Sequence, residues 1–206
     1  METRRYQKEE ISEVVDALKS GKVIAFPTDT VFGLGVAYGN EEALHHLKHA
    51  KIRPEEKPIP MMVASLKQIH QVAKVSEKAE KLIQAFMPGA FTIVLEKKDS
   101  VAEYVTNGMK TIAIRMPDDT FVLSLMEQLD RPLMVSSANI SAQHACQTSD
   151  DVLKQLDGRI DGIVEGESKS SVASTIVSVI DDEVKILRNG KISEDAIRHI
   201  LQEEIK

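Results

Sequence analysis

The segment Lys51-Ile-Arg-Pro-Glu-Glu-Lys57-Pro58 gathers three cations into seven residues of a chain whose net charge is −6. Arginine offers a planar fork of donors and lysine a compact point charge, so cations spaced this way suit a polyphosphate. Pro54 and Pro58 stiffen the backbone that would present them. The same segment also reads as an ordinary solvated loop. The company it keeps bears on that choice: Arg115, the turn Ser136-Ser-Ala-Asn139 and Arg188 each follow directly on a run of strand-forming residues.

The polar strand ends repeat a theme. Pro27-Thr-Asp-Thr-Val-Phe-Gly-Leu-Gly35 follows the apolar run Val23–Phe26 with two hydroxyls, a carboxylate and two glycines. The carboxyl ends of strands are where open α/β sheets place ligands. Gly33 and Gly35 would permit φ > 0 or a close approach of backbone to ligand, although Thr-Asp-Thr also fits a turn that caps its own backbone. Ile112-Ala-Ile-Arg115 ends on an arginine suited to a carboxylate or phosphate, or simply to the surface. Val135–Asn139 ends on hydroxyls and an amide that suit an amino-acid head group or a ribose, or a helix cap. Ser174-Thr175 opens one apolar run, and Arg188-Asn-Gly190 closes the next. A shared small-molecule pocket with a cationic wall explains these ends together.

Other chemistries find less support. His45 and His49 stand at i, i+4, as zinc ligands can, but no metalloprotease signature surrounds them. Cys146 has no CxxC partner, and there is no GxSxG elbow, Walker A loop or GxGxxG fingerprint. No metal site from the protein is expected; Mg²⁺ would arrive with a nucleotide.

These residues need a frame. Helical spacing of Ile11, Val14, Val15 and Leu18 predicts a helix over 9–19, stopped by Gly21. Asn40 caps a helix that carries Ala43, Leu44, Leu47 and Ala50 and delivers the Lys51–Lys57 segment. Strands are expected at 23–26, 59–64, 91–95, 111–115, 133–136, 161–164, 174–180 and 184–188. Further helices are expected at 65–71, 76–87, 120–129, 149–156 and after Ser193. Strands alternating with helices indicate an α/β fold, and a hairpin at Asp181-Asp182 makes the sheet mixed. No linker or repeat divides the 206 residues, so one domain spanning 1–206 is expected. The loops 51–57 and 166–174 are candidates for mobility.

Composition narrows the classes. The acidic balance argues against a protein that coats nucleic acid through bulk charge. No apolar run approaches the roughly 20 residues that cross a bilayer, and the N-terminus lacks a signal-peptide core. A single cysteine fits a reducing compartment, with the cytoplasm as default.

The ordered set PTDTVFGLG (27–35), KIRPEEKP (51–58), MPGAFT (87–92), IAIRMP (112–117), SSANIS (136–141), ASTIV (173–177) and LRNG (187–190) resembles the YrdC family, whose members are threonylcarbamoyl-AMP synthases. The match runs from about residue 9 to 200. It implies an open, twisted, mixed β-sheet with flanking helices and a concave basic cavity. It also implies a reaction in which L-threonine, bicarbonate and Mg²⁺-ATP give threonylcarbamoyl-AMP and pyrophosphate. Downstream threonylcarbamoyl-transferase machinery would then carry the group to tRNA. By position, the resemblance assigns Lys51, Arg53, Ser137 and Asn139 to a catalytic tetrad. It assigns Arg53, Lys57, Thr111, the backbone at Ala138, the Cys146 region and Arg188 to ATP, and Thr30, Met62, Arg115, Ser136 and Ser174 to threonine.

The chain departs from the family pattern at Phe32 (commonly Tyr), Ala90 (Pro), Ala142 (Gly) and Ala173 (Pro). If residue 142 needs φ > 0, alanine there would add strain of about 1 kcal/mol. A different reading is a non-catalytic module that grips tRNA or double-stranded RNA. Against it stand the acidic charge and the absence of tryptophan. A third is carbamoyl-adenylate formation for another acceptor, as in YrdC-like modules of hydrogenase-maturation proteins.

Overall fold

Side-chain caps start the helices where polar residues meet the apolar periodicity. Asn40, Ser65, Ser76, Asp119, Thr148 and Ser193 each accept a hydrogen bond from a backbone N–H three residues on. Each satisfies an orphan donor of a first turn. In the computed structural model, which describes residues 2–202, the elements run in the following order. They are β1 (Arg4–Tyr6), α1 (Ile11–Lys19), β2 (Ile24–Phe26), β3 (Gly33–Ala37), α2 (Glu41–Ala50), β4 (Met61–Met62), α3 (Leu66–Val72), α4 (Glu77–Phe86) and β5 (Phe91–Glu96). Then come α5 (Glu103–Thr106), β6 (Thr111–Arg115), α6 (Thr120–Leu129), β7 (Leu133–Ser137), α7 (Ser149–Leu156), β8 (Gly162–Val164), β9 (Thr175–Ile180), β10 (Glu183–Arg188) and α8 (Glu194–Leu201). Met1 and 203–206, the ends of the expected 1–206 span, lie outside the described residues.

Among the described residues the strands form one mixed sheet in the order β1-β8-β2-β3-β7-β4-β6-β5-β9-β10. The expected hairpin is present: β9 and β10 pair antiparallel across Asp181 and Asp182, both at positive φ as a type I′ turn requires. Three elements were not expected from the sequence. β1 carries two arginines in three residues, and α5 is a single turn. β3 begins at Gly33, within the 27–35 segment for which no strand was expected, and its glycines have no strand propensity of their own. They are required by packing: a Cβ on Gly35 would lie 2.9 Å from the Phe26 ring, and one on Gly33 would lie 3.0 Å from Val135. Neither glycine has positive φ. The close approach that both glycines permit is to neighbouring side chains, and Gly33 also lines the cavity described below.

Alternation along the strands splits the apolar residues into two cores. Ala25, Leu34, Met134, Ile93, Ile114 and Val177 face one core with α2, α3, α4, α7 and α8. Ile24, Phe26, Ala37, Met62, Leu133 and Val135 face the other, closed by α1 and α6. Period-2 alternation thus buries both faces.

The second face is only partly covered, which is what makes room for a site. Register runs a row of residues across it: Leu133 opposite Met62, Met62 opposite Arg115, Thr92 one step along the β5–β6 ladder, then Ile176 and Arg188. The row is apolar beneath α1 and α6 and becomes polar beyond Met62. Its last member depends on a β-bulge, because the ladder shifts between Ile186 and Arg188 and leaves Leu187 extra. The shift brings Arg188, not Leu187, opposite Ile176.

Candidate active site

A cavity of about 350 Å³ lies over the polar end of this row. Its charged lining residues are Arg53, Arg115 and Arg188, accompanied by Thr30, Thr92, Ser136, Ser137, Asn139 and Ser174. Met62 and Ile176 form part of its floor. Polar ends from β6, β7, β9 and β10 and the loops after β2 and α2 thus meet in one space.

Arg115 is the most tightly held of the arginines. Its Nη2 donates to Asp29 Oδ1 at 2.6 Å, Nη1 to Thr30 Oγ1 at 2.7 Å and Nε to the Gly89 carbonyl at 3.0 Å. Both partners of the Asp29 pair are buried. Burial lowers the Arg115 pKa, and the Asp29 charge opposes that shift. One hydrogen on each Nη is still free to donate. The Thr-Asp-Thr segment does form a self-capping turn, in which Thr28 Oγ1 accepts from the Thr30 N–H and donates to the Val31 carbonyl. That turn is what aims Asp29 and Thr30 at the arginine.

Arg188 reaches Ser174 from the neighbouring strand, donating to its carbonyl at 2.8 Å and its hydroxyl at 3.1 Å. Ser174 Oγ also lies 2.7 Å from Thr92 Oγ1. The Arg188 pKa is lowered by burial and then by the charge of Arg115. A guanidinium whose charged form is disfavoured by burial and by a neighbouring guanidinium marks a place where an anion relieves the cost. Arg53 is half-buried and curls onto its own loop, donating to the carbonyls of Lys57 and Pro58. Burial lowers its pKa as well.

Lys51 does not line the cavity. It is buried behind it, with Nζ donating to the carbonyls of Ser137 at 2.7 Å and Asn139 at 3.1 Å. Burial, reinforced by Arg53, pulls its pKa down to about 8. Asn139 is buried with its Nδ2 on the carbonyls of Ile140 and Gln143, while its Oδ1 has no partner. Asn139 belongs to the cavity lining, so its amide stands at the wall of the site.

The other expected site residues fall outside the lining. Lys57 is exposed on the loop beyond Arg53. Ala138 is buried, and its N–H bonds the Phe32 carbonyl. Cys146 receives the Phe32 N–H on its carbonyl and Gln155 Nε2 on its Sγ, and burial pushes its thiol up to about 11. Thr111 sits at the opposite end of β6 from Arg115, paired with Glu96. The sequence pointed to the carboxylate of Asp29 without giving it a role, and gave no role to Thr92. Thr92 had one usable signal, a lone hydroxyl alternating with buried Phe91 and Ile93.

The family model Sua5_yciO_yrdC, described under telomere recombination, matches residues 16–190. The chain belongs to the Sua5/YciO/YrdC family. Its relatives in this family include the threonylcarbamoyl-AMP synthase of Bacillus subtilis, 36% identical over 195 residues. That alignment takes in 93% of this chain and 56% of the relative. The protein of the same name from Vibrio campbellii is 33% identical over 159 residues, 76% of this chain and 86% of that one. The Pyrococcus abyssi Sua5 structure complexed with L-threonine superposes with a TM-score of 0.92 at 32% identity. It covers 98% of this chain and 62% of that one. The chain therefore spans little more than half the length of the Bacillus relative.

The departures from the Sua5/YciO/YrdC pattern have visible consequences. Ala142 stands at φ 68, the left-handed region that a glycine would occupy without penalty. Phe32 is fully buried at the cavity edge, where the common tyrosine would add a hydroxyl. Ala173 forms part of the lining.

Proposed function

We propose that this protein joins L-threonine, bicarbonate and ATP into threonylcarbamoyl-AMP with release of pyrophosphate. The observation that carries the proposal is a single cavity in which three arginines meet Thr30, Ser136, Ser137, Ser174 and Asn139. Such a lining suits a phosphorylated nucleotide beside a small zwitterion. The relatives' shared name and the L-threonine in the Pyrococcus abyssi structure support the same substrates.

In this reading the amine of threonine combines with bicarbonate, losing water, to give a carbamate. A carbamate oxygen then attacks the α-phosphorus; the new O–P bond forms as the bond to the pyrophosphate oxygen breaks. The free Nη hydrogens of Arg115 receive the threonine carboxylate, with Thr30, Ser136 and Ser174 around the amino acid. Arg53, Arg188 and the nearby Lys57 face the phosphates and stabilise charge as pyrophosphate leaves. Lys51 acts from behind the wall by orienting the Ser137–Asn139 backbone. Proximity within a small cavity serves in place of a nucleophile from the protein, because the carbamate is short-lived. The lining offers hydroxyls and the amides of Asn139 and Gln143 rather than carboxylates, so Mg²⁺ would be held by the phosphates it arrives with. The product would pass to transferase machinery acting on tRNA in the cytoplasm. No helix among the described residues is long and apolar enough to cross a membrane.

The test is incubation of the pure protein with labelled bicarbonate, threonine and Mg²⁺-ATP. Pyrophosphate release that requires the amino acid is expected. ATP-independent, strongly salt-sensitive RNA binding with no turnover would favour the RNA-binding reading instead.

A further inference from the structure

Lys48 is a buried lysine that the proposed chemistry does not use. Its side chain is 2% exposed, yet it lies in the last turn of α2, three residues before the cation segment. Its Nζ donates to the Glu55 backbone carbonyl at 2.8 Å and to Asn107 Oδ1 at 3.0 Å, and it stands 3.3 Å from Glu55 Oε2. Asn107 completes the arrangement by donating from Nδ2 to the same Glu55 carbonyl at 2.7 Å. Two side chains from separate elements thus converge on one carbonyl at the tip of the loop.

Asn107 stands at the end of α5. It caps that single turn in the left-handed conformation, φ 51 and ψ 45, which asparagine tolerates better than other branched or bulky residues. The turn ends where the amide can reach across to Glu55. Inside the loop, the Arg53 N–H bonds the Lys48 carbonyl and the Lys57 N–H bonds the Pro54 carbonyl. The Arg53 fork closes on Lys57 and Pro58. These bonds shape the loop but do not tie its tip to the body of the protein. Lys48 and Asn107 tie its backbone there, while the exposed His45 Nδ1, 3.2 Å from Glu55 Oε2, reaches only the side chain.

We propose that Lys48 and Asn107 are positioning residues, a two-donor clamp on the Glu55 carbonyl that holds the 53–57 loop so that Arg53 projects into the cavity and sets nucleotide affinity without touching the nucleotide. The inference rests on the reading that Arg53 and Lys57 serve ATP. Neither clamp residue lines the cavity that holds Arg115 and Arg188, so an effect on ATP must pass through the loop.

Two variants test it. Asn107→Gly keeps the left-handed backbone and removes only the side chain; Lys48→Met keeps the apolar stem and removes the donor. Each is titrated with Mg²⁺-ATP and with threonine by calorimetry, and hydrogen exchange is followed in the peptide spanning residues 52–58. The clamp predicts a rise in the ATP Kd of about tenfold, a threonine Kd within about twofold of the wild type, and faster exchange confined to that peptide. Equal weakening of both ligands, or unchanged ATP affinity in the folded variants, overturns it. Should Lys48→Met fail to fold, Asn107→Gly decides alone. If the wild-type chain takes up no ATP, the functional reading fails by itself, and the clamp is judged on exchange: unchanged rates in Asn107→Gly would overturn it too.

Discussion

The Nζ of Lys51 lies 2.7 Å from the carbonyl oxygen of Ser137, a residue 86 positions away in the chain. The first cation of the most conspicuous basic segment is therefore directed at protein backbone behind the cavity wall, and it couples the loop after α2 to the end of β7. Lys51, Arg53 and Lys57 share a segment but not an environment: one is buried, one half-buried, one exposed.

That burial makes stability depend on pH. The Lys51 pKa falls from its ordinary 10.5 to about 8 in the folded state. Between those values the unfolded chain holds the proton and the folded chain has released it, so this group makes stability rise with pH across the window. Lys51→Met removes the effect. The difference in unfolding free energy between wild type and variant, measured in urea near pH 7.5 and pH 10, should shift towards the wild type by up to roughly 3 kcal/mol. A pH-independent difference would mean that the ammonium is not disfavoured by its site.

Arg115 and Asp29 form a buried ion pair, so removing either partner strands a charge. Each single alanine variant should cost about 3–5 kcal/mol. The double variant should cost clearly less than the sum, because no uncompensated charge is left. Chemical denaturation of the four proteins checks this, and simple additivity would show that the contact carries no coupling. Arg115→Ala is therefore a poor probe of threonine binding unless its stability is measured alongside.

Arg53→Ala should behave differently. Its guanidinium touches only carbonyls of its own loop, so the loss of stability should stay below about 1.5 kcal/mol. ATP affinity should fall at least tenfold on the proposed function, by the same scale that equates 1.4 kcal/mol with a factor of ten. Calorimetry paired with thermal melting separates the two effects. A large fall in melting temperature with ATP affinity intact would make the residue structural.

Ala142 is exposed and stands in the left-handed region. Ala142→Gly removes Cβ strain without removing packing, and should stabilise the protein by roughly 0.5–1 kcal/mol. Equilibrium unfolding is the measurement. Destabilisation would mean that the extra freedom of glycine in the unfolded chain outweighs the strain relieved.

Most of the frame was legible because the signals are local. Asn40 and Ser193 cap where expected, and α6, α7 and β6 run over the expected residues. β3 was not legible, since two glycines among five residues carry no strand signal until the Phe26 ring and Val135 demand the space. The site was half legible. Arg53, Arg115, Asn139 and Arg188 announced themselves as polar residues at strand or helix ends, and all four line one cavity. What each one binds within the protein could not be read. Asp29 on Arg115, the carbonyls that hold Lys51, and the burial of Lys48 are contacts across 86 and more residues or between adjacent loops, with no periodicity to mark them.

Chain order alone determined the helices, most strands, the mixed α/β class and the set of polar strand ends, because caps, alternation and 3.6-residue spacing act over a few residues. Tertiary structure decided which of those ends share a space. Cross-strand register set Met62, Arg115, Thr92, Ile176 and Arg188 in one row, and a bulge at Leu187 turned the last of them inward. Register is fixed by pairing between distant segments, and burial by what packs above it, so neither the row nor the depressed pKa of Lys51 exists before the sheet closes.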